Sequence, residues 1–192
     1  MRIALFPLRT VLFPQGLLPL RIFETRYVDM IRRVMRDGEG FGVVLIRAGA
    51  EVGAVDEIAP VGTLASVADF GQTPEGLLKI VARGEHRFRI VGHDRQPDGL
   101  NMAEVEWLED PAEPPLREDE YPDLREALSR ALSELGAEYP AGDHRMDDAA
   151  WFAGHLCQLL PVPAEARQKL LQATGVRERI AQIQKMWVPP RG

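Results

Sequence analysis

Apolar residues in the second half of the chain recur three or four positions apart, with polar residues between them. That spacing places the apolar side chains on one face of an α-helix. It predicts four helices, over residues 124–135, 152–160, 164–173 and 176–187, separated by Gly136, Pro140 and the PVP run at 161–163. Four short amphipathic helices so close in sequence are expected to pack as a small bundle.

Before residue 110 the apolar runs are shorter, are broken by Gly and Pro, and predict β-strands. The clearest candidates are residues 41–47, 77–82, 86–91 and 103–107. In the third of these, Phe88 and Ile90 alternate with Arg87 and Arg89, which predicts a strand with both arginines on a solvated face. A twisted, mixed β structure of about six strands is therefore expected.

One amphipathic helix is predicted among these strands. Its apolar positions follow the spacing of one helix face: Tyr27, Met30, Ile31, Val34 and Met35. Gly38 and Gly40, after Asp37, are expected to end it. Glu24 and Arg26 are expected to anchor its start, because a carboxylate is favoured near the positive end of the helix dipole.

The three prolines near the amino terminus limit what their segments can form. Pro7, Pro14 and Pro19 stand among large apolar residues, and proline donates no hydrogen bond to a β-ladder. These segments are therefore expected to be edges or loops rather than central strands. Their apolar side chains are expected in the core, with the alternative that some, especially Leu12 and Phe13, form an exposed patch for another polypeptide.

The change of pattern near residue 110 predicts two subdomains within an α+β fold. The acidic, proline-rich sequence EDPAEPP at 109–115 is typical of a stiff, solvated connection. We predict a β-rich subdomain over residues 1–110 and a helical subdomain over residues 111–192.

Composition and charge exclude several classes of protein. The 192 residues carry a net charge of −6, which argues against a general nucleic-acid or anionic-membrane binder. No apolar run approaches the roughly 18 residues of a membrane span, and the first residues lack the apolar region of a signal peptide. The single Cys157 cannot form an internal disulfide. A soluble cytoplasmic protein with no membrane partner is expected.

The chain shows no constellation of residues typical of catalysis. Its three serines, Ser66, Ser129 and Ser133, stand outside any Gly-x-Ser-x-Gly motif. His155 and Cys157, two apart on a predicted helix, point in different directions and cannot converge on one metal ion. No phosphate-binding glycine loop is present. We therefore predict no catalytic residue, no metal and no cofactor.

An ordered series of motifs resembles the amino-terminal domain of the Lon protease family. The motifs are FPLR (6–9), LFPQG (12–16), LPLRIFETRY (18–27), FGVVL (41–45), VGT (61–63), RGEHRFRI (83–90) and AEVEWL (103–108), with weaker similarity in QKLL (168–171) and VRERI (176–180). The resemblance implies a PUA-like β pseudo-barrel with one inserted helix, followed by a bundle of about four helices. It also implies the family's substrate-recognition part, standing alone without the ATPase and peptidase domains.

The function that this resemblance implies is non-catalytic recognition of unfolded or specific polypeptide segments, as an adaptor. Apolar contacts with a bound polypeptide, in a groove at the barrel–bundle connection, are expected from Leu12, Phe13, Leu17 and Phe70. Gly42, Gly62 and Gly84 are expected where main chains pack closely or bulge. A separate protease or chaperone as partner, and a homodimer, stay open. The alternatives are a PUA-like RNA-binding module, which the acidic charge disfavours, and a hydrolase with an unrecognised site.

Overall fold

A computed structural model describes residues 1–49 and 55–187 of the chain. The strands are β1 (Arg2–Leu8), β2 (Leu17–Ile22), β3 (Phe41–Gly49), β4 (Val55–Ile58), β5 (Val61–Gln72), β6 (Leu78–Arg95) and β7 (Asn101–Leu108). The α-helices are α1 (Thr25–Asp37), α2 (Pro122–Leu135), α3 (Ala149–Leu159), α4 (Ala164–Gln172) and α5 (Val176–Met186), and a 3₁₀ turn follows α2. The α+β class, the inserted helix and the four later helices are confirmed.

Five strands close into a barrel, in the order β1-β7-β6-β5-β3, because β1 also pairs in parallel with β3. The remaining strands extend it: β2 pairs with β6, and β4 pairs with β3. Strand β6 is long enough to pair with β2 through residues 78–83 and with β7 through residues 87–95. A three-stranded extension of β2, β6 and β5 therefore projects from the barrel.

The expectation that the proline-bearing segments avoid the central sheet is wrong for β1, which has neighbours on both sides. Its first residues pair with β7 and its last with β3, and Pro7 lies in the half that pairs with β3. The missing N–H therefore costs no bond to β7. Pro19 lies on β2, which pairs with β6 along one side, as edge prolines do.

Helix α1 follows its predicted pattern. Tyr27, Met30, Ile31 and Val34 are buried, and Gly38 adopts the left-handed conformation at φ 69° while its N–H bonds the Val34 carbonyl. Glu24 lies at the helix start and forms a 2.7 Å ion pair with Arg26, as expected. Met35, the last apolar position of the predicted helix face, is exposed near the end of α1.

The largest of three hydrophobic clusters is shared by the first half of the chain and the later helices. The largest apolar cluster joins Phe13, Leu17 and Val81 of the first half to residues of α2, α3, α4 and α5. A second cluster lies between the barrel and α1, and a third fills the barrel around Phe88. The boundary near residue 110 stays a prediction, and residues 188–192 of the second subdomain lie outside the described part.

Candidate functional site

The β1–β2 loop, residues 9–16, is clamped between the barrel and the bundle. The Phe13 N–H donates to Gln158 Oε1 at 3.2 Å, and the Gln15 N–H donates to the Gly84 carbonyl at 2.8 Å. A Cβ on Gly84 would lie 2.0 Å from the Phe13 carbonyl oxygen, and one on Gly154 would lie 2.0 Å from that of Pro14. Only glycine lets strand β6 and helix α3 approach the loop this closely.

An exposed patch at Leu12 and Phe13 is therefore contradicted by the structure. Leu12, Phe13 and Leu17 keep 1%, 0% and 3% of their surface exposed. Phe13 and Leu17 pack in the cluster shared with the helical bundle, and Leu12 packs in the cluster between the barrel and α1. The default expectation, that these side chains belong to the core, describes their position. To contact a polypeptide, Phe13 and Leu17 would have to leave the core between the barrel and the bundle, and Leu12 the core beneath α1.

The close-packing role expected for three glycines agrees with the structure. Cβ atoms on Gly42 and Gly62 would lie 2.7 Å from the Phe88 ring at the centre of the barrel. The Cβ on Gly62 would also lie 2.5 Å from the Val43 carbonyl oxygen, and Gly84 meets the loop as described above. These positions build the barrel rather than a site.

Asp110 joins the two halves through two buried guanidinium groups. Arg87 of β6 donates to both Asp110 oxygens, at 2.7 and 3.2 Å, and also to the carbonyl oxygens of Leu171 and Ala173. Arg179 of α5 donates to the same carboxylate, and the Gly175 N–H approaches it at 3.2 Å. One carboxylate thus holds the strand, the connection and α5 together.

The burial of Arg87 corrects the solvated face predicted for that strand. Helices α4 and α5 cover the Arg87 side of β6, so the guanidinium is almost fully buried. Burial and the neighbouring Arg179 lower its pKa, and Asp110 opposes them. Arg89 on the same strand remains exposed, as predicted.

A cleft of about 540 Å³ lies at the barrel–bundle connection, where the sequence predicts a groove. Phe13, Pro14, Pro111 and Ala153 line its apolar part. Phe70, expected in the same groove, lies away from it on β5 opposite Ile80. The cleft lies where the sequence predicts a groove, but of the four expected contacts Phe13 lines it and Leu12, Leu17 and Phe70 do not.

Phe70 is one of three exposed apolar residues near the end of the β2–β6–β5 extension. Phe23, Phe70 and Leu77, which we call the hairpin patch, expose 59%, 62% and 39% of their surface. The register brings them to one end, since Ile22 pairs with Leu78 and Phe70 with Ile80. Phe23 and Leu77 were missed by the sequence reasoning; the signal was an aromatic residue directly after a strand and an apolar one directly after a turn.

Strand β5 offers an unpaired edge beside this patch. Within the described pairing, residues 63–65 lie between β3 and β6, whereas residues 66–72 pair with β6 alone. An edge of this kind presents N–H and C=O groups that accept another extended chain. The apolar side chains of the hairpin patch thus lie beside available main-chain groups of β5.

A buried hydrogen-bonded chain connects the helices to the start of β2. The Leu17 N–H donates to the Tyr139 hydroxyl at 3.0 Å, and that hydroxyl lies 2.9 Å from His155 Nδ1. The Tyr139 hydroxyl thus links the main chain of β2 to helix α3 through two buried hydrogen bonds. Burial raises the pKa of Tyr139, so the hydroxyl keeps its proton.

His155 is expected to make the fold sensitive to acid. Burial, followed by the positive charges of Arg145 and Arg83 and by His144, lowers its pKa to about 4. The unfolded imidazole titrates near 6.5, so the unfolded state binds the additional proton between these values. Stability is therefore complete above pH 6.5 and falls toward pH 4, by about 2 kcal/mol at pH 5.

Urea unfolding measured from pH 5 to pH 7.5 tests this dependence. We expect His155→Gln to flatten the pH profile, although it lowers stability at pH 7.5. The exposed His93→Gln serves as the matched control and should keep the wild-type slope. An unchanged slope in His155→Gln would assign the acid sensitivity to other groups.

Two classes of site receive no support from the described residues. In that part of the chain no three His, Cys, Asp or Glu side chains are grouped so as to hold a metal ion. None of the helices described has the length and apolar character needed to cross a membrane.

Comparison with known proteins gives one consistent family. The sequence profile of the ATP-dependent protease La (LON) substrate-binding domain matches residues 2–187. Lon protease 2 of Myxococcus xanthus is 30% identical over an alignment of 184 residues, covering 92% of this chain and 22% of that protein. The Lon protease of Escherichia coli K12 is 25% identical over 193 residues, covering 96% of this chain and 24% of that protein. The chain thus spans about a quarter or less of these curated relatives.

Solved structures give the same result for the fold. A Lon N-terminal domain protein from Xanthomonas campestris superposes with a TM-score of 0.76 and 34% identity, covering 98% of this chain and 99% of that one. The N-terminal domain of a Mycobacterium avium complex Lon protease superposes with a TM-score of 0.62 at 18% identity, covering 96% and 97%. The second likeness concerns the fold alone.

Proposed function

Because the chain belongs to the LON substrate-binding domain family, we propose that it recognises polypeptides without cleaving them, binding unfolded or specific segments as an adaptor. The hairpin patch is the observation that supports this proposal best. An unfolded segment exposes apolar side chains and unpaired main-chain groups. The hairpin patch offers apolar contacts to the former, and the β5 edge offers hydrogen-bond partners to the latter.

The state of the nucleophilic side chains supports binding without cleavage. The Ser66 hydroxyl donates to Glu85 at 2.6 Å, and the Ser133 hydroxyl donates to the Ser129 carbonyl of its own helix. Neither contact is to the imidazole or amine that activates a serine nucleophile. Cys157 is fully buried, and burial raises the pKa of its thiol to about 12, so it carries no thiolate at neutral pH.

A protease or chaperone acting together with this domain is the next expected partner. The support is that its curated relatives are named Lon protease and contain the matched domain within a much longer protein. Cytoplasmic location and the absence of a cofactor remain predictions from the sequence.

Phe70→Asp is expected to weaken the binding of an unfolded polypeptide by about tenfold, since it replaces an apolar contact with a charge. The fold should be unaffected, because the side chain is 62% exposed. Fluorescence anisotropy with a labelled, permanently unfolded polypeptide measures the affinity, and thermal unfolding checks the fold.

Val91→Asp is the matched control, since Val91 is also an exposed apolar residue of the sheet but lies on the part of β6 that pairs with β7. It should bind like the wild type. Equal weakening by both substitutions would remove the hairpin patch from the proposed site.

A further inference from the structure

A second cleft, of about 550 Å³, lies between β2 and the helical bundle. We call it the β2 groove. Its floor is the strand from Leu17 to Arg21, and its opposite wall includes Leu135, Leu159 and Arg167. Among the described residues that line it, three are cationic and none is acidic: Arg21, Lys79 and Arg167. This balance is opposite in sign to the net charge of −6 of the whole chain.

The hydrogen-bond pattern shows which main-chain groups of β2 point into this groove. The Gly84 N–H donates to the Gly16 carbonyl, so the even-numbered residues that follow bond to β6. The Leu17 N–H instead points away from β6 and donates to Tyr139. By the same alternation, the Pro19 carbonyl and both main-chain groups of Arg21 point outward. Pro19 lacks its N–H at a position where the ladder does not use it.

This register also brings two like charges together. Arg21 lies directly opposite Lys79, and the alternation makes them a non-hydrogen-bonded pair, in which side chains approach most closely. Like charges directly opposite one another destabilise a sheet. Neither residue forms an ion pair within the described structure. Arg21 has only a weak, long-range influence on the exposed Glu75, whose pKa is lowered first by its hydrogen bond with Thr73.

The third cation is held without a counter-charge. One Arg167 nitrogen donates to the Leu160 carbonyl at 3.1 Å, and the buried Nε has no partner among the described residues. Arg167 likewise forms no ion pair with any described carboxylate. A half-buried guanidinium is normally accompanied by a carboxylate, because its desolvation is costly.

We propose that the β2 groove binds an acidic polypeptide segment as an added β-strand, with its carboxylates against Arg21, Lys79 and Arg167. The main chain of the segment bonds the outward groups of Pro19 and Arg21, and its alternate side chains face the cations. The incoming carboxylates separate the like-charged pair and supply the counter-charge that Arg167 lacks. This inference rests on the proposed function and adds to the hairpin patch a second contact surface, selective for acidic, extended segments.

Lys79→Glu is expected to affect peptide binding and the stability of the fold in opposite directions. The new carboxylate faces Arg21 as an opposite charge, so the melting temperature should stay the same or rise. The affinity for a labelled decapeptide of alternating Glu and Val should fall about tenfold, since an attraction becomes a repulsion. Arg167→Gln should lower the affinity for the same peptide by a smaller factor, because it removes a charge without reversing it.

Lys185→Glu is the matched control, because it makes the same charge change on the exposed face of α5. It should bind the peptide like the wild type. The same decapeptide with Lys in place of Glu should bind poorly to the wild type. N-methylation of alternate amides in the acidic decapeptide should weaken its binding, because an added strand uses those amides as hydrogen-bond donors.

The outcomes distinguish the two proposals. If the wild type binds an unfolded polypeptide but treats the acidic and basic decapeptides alike, the acidic specificity is wrong and the recognition function stands. If it binds no polypeptide, both are wrong. If a single-stranded RNA decamer binds in a Lys79-dependent manner and the acidic peptide does not, the groove is a nucleic-acid site and the proposal is overturned.

Discussion

Asp110→Ala is expected to lower the free energy of unfolding by about 3 to 5 kcal/mol, because it leaves two buried guanidinium groups without their carboxylate. Arg87 and Arg179 both donate to Asp110, and neither side chain is exposed by more than 4%. Their remaining partners are main-chain carbonyl oxygens, which carry no full charge. Urea unfolding at pH 7 measures the loss.

Asp119→Ala is the control for this prediction. Asp119 also pairs with an arginine, Arg117, but both side chains are more than three-quarters exposed. Exposed pairs of this kind contribute little, and we expect a change within about 0.5 kcal/mol. Similar small losses in the two variants would mean that water reaches the Arg87–Asp110–Arg179 cluster and that it does not hold the two halves together.

Gly154→Ala is expected to destabilise the protein by about 3 kcal/mol, although alanine normally stabilises a helix by about 1 kcal/mol relative to glycine. The new Cβ would lie 2.0 Å from the Pro14 carbonyl oxygen. That atom belongs to the clamped β1–β2 loop, so the main chain has to move for α3 to remain in place. The expected loss opposes the intrinsic helix preference, and its sign is therefore informative.

Gly92→Ala provides the comparison, because a Cβ at Gly92 meets no atom within 4 Å. It should be neutral or slightly stabilising, since alanine loses less entropy than glycine in a strand. The midpoint of thermal or urea unfolding measures both variants. A stable Gly154→Ala protein would show that the loop adjusts freely between β6 and α3.

The elements that the sequence predicts well are those that depend on neighbouring residues. The stripe from Tyr27 to Val34 and the glycine at 38 define α1 by themselves, since spacing and capping act within a few residues. The four later helices follow for the same reason. The identity of Gly84 also indicated a close approach, although not which main chain approaches it.

The features that escaped prediction depend on residues far apart in the chain. Arg87 alternates with Phe88 as a surface residue would, and only the folding of α4 and α5 over β6 buries it. Barrel closure requires β1 to pair with β3, more than 30 residues later. Local pattern contains no information about either contact.

The candidate site shows the same division. Leu12, Phe13 and Phe70 are similar apolar residues in irregular or edge segments, and composition does not separate them. Phe13 is buried because Gln158, 145 residues away, packs α3 over its loop. Phe70 is exposed because no described element covers its end of β5. The sequence thus predicts apolar candidates, whereas tertiary packing decides which are accessible.

The central claim is that this protein binds unfolded polypeptide and does not cut it. The most direct measurement incubates the purified chain with a labelled, permanently unfolded polypeptide and, separately, with its folded counterpart. Complex formation and fragment size are followed in the same samples. We expect a complex with the unfolded form, little with the folded form, and no fragments from either. Fragments of the labelled chain, or no preference for the unfolded form, would contradict the claim.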